Sequence, residues 1–266
     1  MLLLVWAFLN PNIFAQDLFS AGSRGEALAG ATSGIVDSWS VFGNQAGLAD
    51  TKSVVFAGSF QNKFLVQELS SRSGFIAVPV QSSVFAFSIA QFGHIPFRQE
   101  KYGITYARQL SPHFNFGLQF NSCRVFLSEE NRSAGTYGAE VGVQYLKSEK
   151  LIVGLHVVNP YQTKIKLKGG DFRFESRIRI GTFYKLSDVF SLAAELENHF
   201  DECLKSKIGM EYWVLDKLVI RSGISGKPYI LSGGLGFKLK KLIVDQAFCY
   251  TRYLGYSPSV SFQYQF

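Results

Sequence analysis

Ionisable residues recur at every second position in the later part of the chain. Arg177 and Arg179 stand two apart, as do Glu195 and Glu197, then Lys205 and Lys207, while Glu140, Arg173, Glu175, Glu211 and Arg221 fall into the same rhythm. A spacing of two places both members of a pair on one face of a β-strand. Carboxylates and cations gathered on facing strands could transfer protons in a hydrolytic site, select anions along a path, or form an ion-pair lattice. Hydrolysis needs a nucleophile and a base within reach of each other. The histidines, His94, His113, His156 and His199, are scattered, and only His156 falls mid-strand, where it reads as a hydrogen-bonded structural residue. Metal-ligand clustering is missing as well, so no catalytic residue, metal site or cofactor is expected. Glu195 and Glu197 beside Lys205 and Lys207 read as part of an ion-pair network. Unpaired buried charge is so costly that a salt-bridge lattice is the plainer use of this face, with an anion path as the sharper alternative.

A second stretch has the look of chemistry. Gly25-Glu26-Ala27-Leu28-Ala29-Gly30-Ala31-Thr32 has the glycine spacing of a phosphate-cradling loop. Ala31 stands where that loop needs its lysine, and no β-α alternation follows, so the phosphate reading fails. Leu28, Ile35, Val36, Trp39, Val41, Phe42 and Leu48 punctuate the segment too regularly for a linker.

The elements that must position these residues come from the alternation itself. Its clearest instance is the chain end, where Val260, Phe262, Tyr264 and Phe266 alternate with Ser259, Ser261, Gln263 and Gln265. Fourteen strands are expected, over 51–61, 74–80, 83–91, 101–109, 114–126, 136–146, 151–158, 172–185, 189–199, 203–213, 218–225, 231–239, 242–253 and 258–266. Each carries one oily and one polar face. Alternate connections are four residues or fewer, whereas those after the first, third, fifth and seventh strands run about nine to thirteen. Short turns at one end and longer loops at the other are the pattern of an outer-membrane barrel, and closure removes the unpaired edges that lipid penalises. Tyr102, Tyr137, Tyr145, Tyr184 and Tyr212 near strand ends suit the two lipid interfaces.

Composition agrees. The 266 residues include 25 Phe and 12 Tyr, with 18% charged and 47% apolar, against about 25% charged in an ordinary soluble domain. No apolar run reaches the length of a membrane-spanning helix. Residues 1–15, with an apolar run from Leu2 to Leu9 and a cleavage point after Ala15, read as a signal peptide lacking the usual basic start. Export would leave the formal charge of +7 no nucleic acid to meet, and lipid or lipopolysaccharide becomes the expected partner. Cys123, Cys203 and Cys249 fit neither a disulfide framework nor a zinc site and read as buried small side chains. A barrel of fourteen strands is wide enough to need a plug, and 16–50 is the only segment outside the strands long enough to serve. The expected architecture is therefore an all-β, 14-stranded antiparallel transmembrane barrel, 51–266, with a short N-terminal helical plug and both termini periplasmic.

Gly22-Ser23-Arg24, Ala27 to Ala31, Asp37 and Asn44-Gln45-Ala46-Gly47-Leu48-Ala49 resemble the N-terminal signature of the PorV/PorQ family. These are Bacteroidetes outer-membrane barrels related to the FadL-type fatty-acid channels. Gln45 stands where that family has Pro, and weaker similarity continues through 156–160, 208–213, 221–224, 233–237 and Phe266. The resemblance implies fourteen strands and an accessory role in type IX secretion or surface assembly, with secretion-machinery subunits or surface cargo proteins as partners. A FadL-like porter for small hydrophobic or amphipathic molecules, and a plugged structural barrel without transport, are the alternatives. For holding the plug to the wall the candidates are Arg24, Asp37 and Asn44 on the segment with Arg177, Arg179 and Glu195 on the strands. In the longest loop Lys164, Lys166 and Lys168 share a face that could clamp lipopolysaccharide phosphates or an acidic partner, or simply be solvated.

Overall fold

The computed structural model describes residues 21–95, 97–127, 132–167, 170–173, 176–199, 204–227 and 229–266, with backbone alone at 132, 164–167 and 170–173. The signal-peptide expectation for 1–15 and the first five residues of the plug segment lie outside the described residues, as do Lys168, Glu175 and Cys203.

Strands are β1 (Val55–Asn62), β2 (Ser70–Val80), β3 (Ser83–His94), β4 (Phe97–Ser111), β5 (Phe114–Leu127), β6 (Arg132–Leu146), β7 (Leu151–Val158), β8 (Lys164–Leu167), β9 (Gly170–Arg173), β10 (Arg177–Lys185), β11 (Phe190–His199), β12 (Lys205–Leu215), β13 (Leu218–Ser225), β14 (Ile230–Leu239), β15 (Leu242–Thr251) and β16 (Gly255–Gln265). All but β8 and β9 form one closed antiparallel barrel of fourteen strands, β1 pairing with β16 to seal it. The alternation decides which way each residue faces. Along β12 the buried Lys205, Lys207, Gly209 and Glu211 point inward, and Ile208, Met210 and Tyr212 lie exposed outside. The outer face thus continues from strand to strand as Ile180, Leu196, Ile208, Ile224, Leu231, Phe248, Val260 and Phe262.

Aromatic rings gather at two levels of that outer face. Towards the short turns lie Phe114 against Tyr145 at 4.9 Å and Tyr264 against Phe266 at 5.0 Å, with Tyr184 and Tyr212. Towards the other end lie Tyr137 and the pair Tyr250–Tyr256 at 4.9 Å. Rings in two belts with aliphatic side chains between them match the two interfaces of a bilayer.

The structure corrects the sequence reading in two places. The strand expected over 172–185 divides: Phe172 and Arg173 pair with Ile165 and Lys164 in the separate hairpin β8–β9, and the wall strand starts at Arg177. A Gly-Gly pair between two short alternating runs favours a local hairpin over extension of the wall. The nine-to-thirteen-residue loops are also mostly absorbed into strands. Pairing runs to His94↔Phe97 across β3–β4 and to Leu127↔Arg132 across β5–β6, leaving 159–176 as the longest connection between barrel strands. The strands outrun their oily stripe, because beyond the aromatic belt the outer face no longer has to be apolar and the alternation fades.

Candidate functional site

The N-terminal segment lies inside the lumen. From its first described residues it forms the helix α1 (Gly22–Ala27), crosses the bore, and returns through two 3-10 turns, Ser38–Val41 and Gln45–Asp50, to β1. The wall is shaped to receive it. On β1–β4 many inward residues are small, and Ala57, Ala77, Ala86 and Ala107, with Val55, Phe75 and Val84, pack around Trp39, Val41, Phe42 and Leu48 of the segment. On the opposite side a belt of inward glycines lets backbone meet backbone. A Cβ on Gly154 would fall on the Ser33 carbonyl, one on Gly209 within 2.8 Å of Leu28 Cβ, and one on Gly223 within 2.7 Å of the Leu28 carbonyl carbon. The sequence signal for this belt was glycine on the polar face at mid-strand; it was visible but gave no hint of what filled the space.

Polar groups of the segment are met by the wall one by one, as buried groups must be. The Ser33 turn is the hub. Glu195 Oε2 accepts from Thr32 N at 3.0 Å, Ser33 N at 2.8 Å and Ser33 Oγ at 2.6 Å, while its Oε1 takes Lys207 Nζ at 3.1 Å. The Ser33 carbonyl accepts from Asn44 Nδ2 at 2.9 Å and Gln144 Nε2 at 3.1 Å. Asn44 also reaches the Val143 and Leu155 carbonyls of β6 and β7. Gln45 donates to Glu140 Oε2 at 2.9 Å, a bond that proline at this position would lack. Glu140 also receives Lys101, Asn121 and His156 Nε2, and Arg179 donates to His156 Nδ1 at 2.6 Å, which puts the imidazole proton on Nε2.

At the other end of the segment Arg24 spans two partners. Its Nε and Nη2 bind the Glu211 carboxylate at 2.8 and 2.7 Å, and its Nη1 binds Asp37 Oδ2 at 2.9 Å. Burial works against the Arg24 charge, but Glu211 and Asp37 outweigh it and raise the guanidinium above its ordinary value. Arg221 continues the chain, with Nε on Glu211 at 2.6 Å and Nη1 on Asp245 at 2.6 Å.

Four of the six plug-to-wall candidates therefore lie where segment meets strand: Arg24, Asn44, Glu195, and Arg179 through a 3.4 Å contact to Thr32. Asp37 turns back within the segment, accepting from Ser40 N and pairing with Arg24. Arg177 Nη1 lies 3.6 Å from Glu197 along the wall. Glu197 also holds Lys207 at 2.9 Å and His199 at 3.0 Å. Gln144, Ser33 and Gln61, which donates to Glu26, were not foreseen. Lys164 and Lys166 sit on β8 of the hairpin outside the barrel sheet.

The segment does not fill the bore. Between it and strands β10–β16 a chamber of about 650 Å³ opens at the short-turn end. Its inner end is the Arg24–Glu211–Arg221–Asp245 chain, its sides include Trp39, Phe183, Trp213 and Val219, and its mouth carries Lys52, Lys185 and Lys238. Among the described residues no group of three His, Cys, Asp or Glu could hold a metal ion. What the arrangement offers is a recess lined by both apolar and ionic groups, closed on its far side by a tightly bonded segment.

No family model matches the sequence, and no curated protein matches it. The fold does have solved counterparts. The Pseudomonas putida toluene transporter TodX aligns at a TM-score of 0.75 with 11% identity, covering 93% of this chain and 98% of that one. The Ralstonia pickettii toluene transporter TbuX aligns at 0.73 with 13% identity over 94% and 99%. A Pseudomonas aeruginosa FadL homologue aligns at 0.70 with 13% identity over 92% and 98%. At such identities the likeness is one of fold: this chain has the barrel of FadL-type channels.

Proposed function

We propose that this protein is a non-enzymatic barrel of the bacterial outer membrane that admits small amphipathic molecules, with residues 22–50 as its plug and both chain ends on the periplasmic side. The observation that carries this reading is the half-apolar, half-ionic chamber beside the segment in a barrel of FadL type. Two of the proteins with that barrel are toluene transporters. The lipid-facing stripe and the two aromatic belts support the membrane placement.

The secretion-accessory reading rested on the signature between Gly22 and Ala49. Those residues have a sufficient local explanation, since Arg24, Asp37, Asn44 and Gln45 all serve in holding the segment inside the bore. A signature of that kind speaks to how a plug is seated and favours no cargo.

The test is solute entry into vesicles carrying the refolded barrel. Of three benzyl amphipaths of different charge, phenylacetate, benzyltrimethylammonium and 3-(benzyldimethylammonio)propanesulfonate, at least one is expected to enter faster than into protein-free vesicles, while a disaccharide stays out. A barrel that is folded by gel mobility yet leaves all three at the protein-free rate would refute the porter reading.

A further inference from the structure

The charges around the chamber are sorted by depth. At the inner end two cations, Arg24 and Arg221, meet three carboxylates, Asp37, Glu211 and Asp245. At the mouth three exposed lysines, Lys52, Lys185 and Lys238, meet two exposed carboxylates, Asp50 and Asp188. The inner end therefore holds one negative charge in excess and the mouth one positive. Glu211, Arg221 and Asp245 are all at least 95% buried, so the inner excess is screened far less by salt than the outer one. The lining also includes the indoles of Trp213 and the buried Trp39, and an accessible indole face attracts cations.

On the porter reading above, we infer that the chamber takes a zwitterionic amphipath, with its ammonium group at the inner carboxylates, its apolar body along the aromatic side, and its anionic group at the lysine mouth. A molecule with a single anionic head meets repulsion at the inner end. A hydrocarbon leaves the ionic groups with nothing to bind.

Trp39 and Trp213 both line the chamber, so tryptophan fluorescence reports on it once Trp6 is changed to Phe. The full-length barrel in detergent is titrated with 3-(benzyldimethylammonio)propanesulfonate, benzyltrimethylammonium and phenylacetate. The expected order of affinity is sulfobetaine, then cation, then phenylacetate. Lys185→Gln combined with Lys238→Gln should weaken the sulfobetaine about threefold and leave the cation unchanged. Asp245→Asn should weaken both about tenfold. Phenylacetate binding as tightly as the sulfobetaine overturns the inference, as does an equal loss of sulfobetaine and cation in the lysine variant, which does not disturb the buried ion chain. Phenylacetate flux into vesicles together with that reversed order leaves the porter reading standing and removes the zwitterion. Absence of all flux removes the porter reading while the binding order is still read in detergent.

Discussion

Gly22 has φ +74°, and a Cβ there would come within 2.5 Å of the Trp39 indole. Gly22→Ala is strained twice over, by backbone and by contact, and should cost about 1–3 kcal/mol. The temperature at which the folded gel band converts to the unfolded one measures this. Gly138→Ala serves as control, since its nearest neighbour would be Asn159 Oδ1 at 3.9 Å; equal losses in both would mean that Gly22 is not held against Trp39. Arg24 matters for a different reason. Arg24→Ala leaves Glu211 to Arg221 alone and Asp37 without its cation. With 21% of its side chain exposed, the expected cost is about 2–3 kcal/mol, below the roughly 3–5 of a fully buried pair. At this scale the sequence was informative about types and not about partners. That Arg24 and Asp37 were anchors could be read from isolated charges in a small-residue run. That they would bind each other, with Arg24 also on Glu211, depends on a crossing of the lumen that no local pattern encodes.

Strands were the most legible elements, because a lipid-facing wall forces strict alternation. β5 and β7 fall within a residue of their expected bounds, whereas β4 begins four residues early and β6 likewise; in the β4 extension Gln99 still faces inward but Arg98 and Glu100 on the outer side have ceased to be apolar. The inward Ala stripe of β1–β4 was hidden for the opposite reason: alanine is apolar enough to blur the contrast with the outer face. If the outer stripe faces acyl chains, Ile180→Arg at the middle of β10 should destabilise the barrel by about 2–4 kcal/mol in lipid vesicles, and Tyr184→Arg near its end by much less. Reversible denaturant unfolding from vesicles measures both. No difference between the two positions would contradict a bilayer lying across that stripe.

On the scale of the molecule, the barrel divides into an apolar quarter that grips Trp39, Phe42 and Leu48 and a charged remainder that binds the Ser33 turn and Arg24. The first holds the segment by packing and the second by directional bonds, so the segment is fixed in place while a chamber persists beside it. Closure and chamber together support the proposal of a barrel sealed by its own N-terminal segment. Planar-bilayer conductance tests it most directly, with the intact protein compared against a variant carrying Arg24→Ala and Glu195→Gln, both checked as folded by gel mobility. The intact protein is expected to sit near the closed baseline, and the variant, with the segment loosened at both ends, to show frequent larger openings. An intact protein that conducts as a permanently open pore, or a folded variant as quiet as the intact one, would contradict the account.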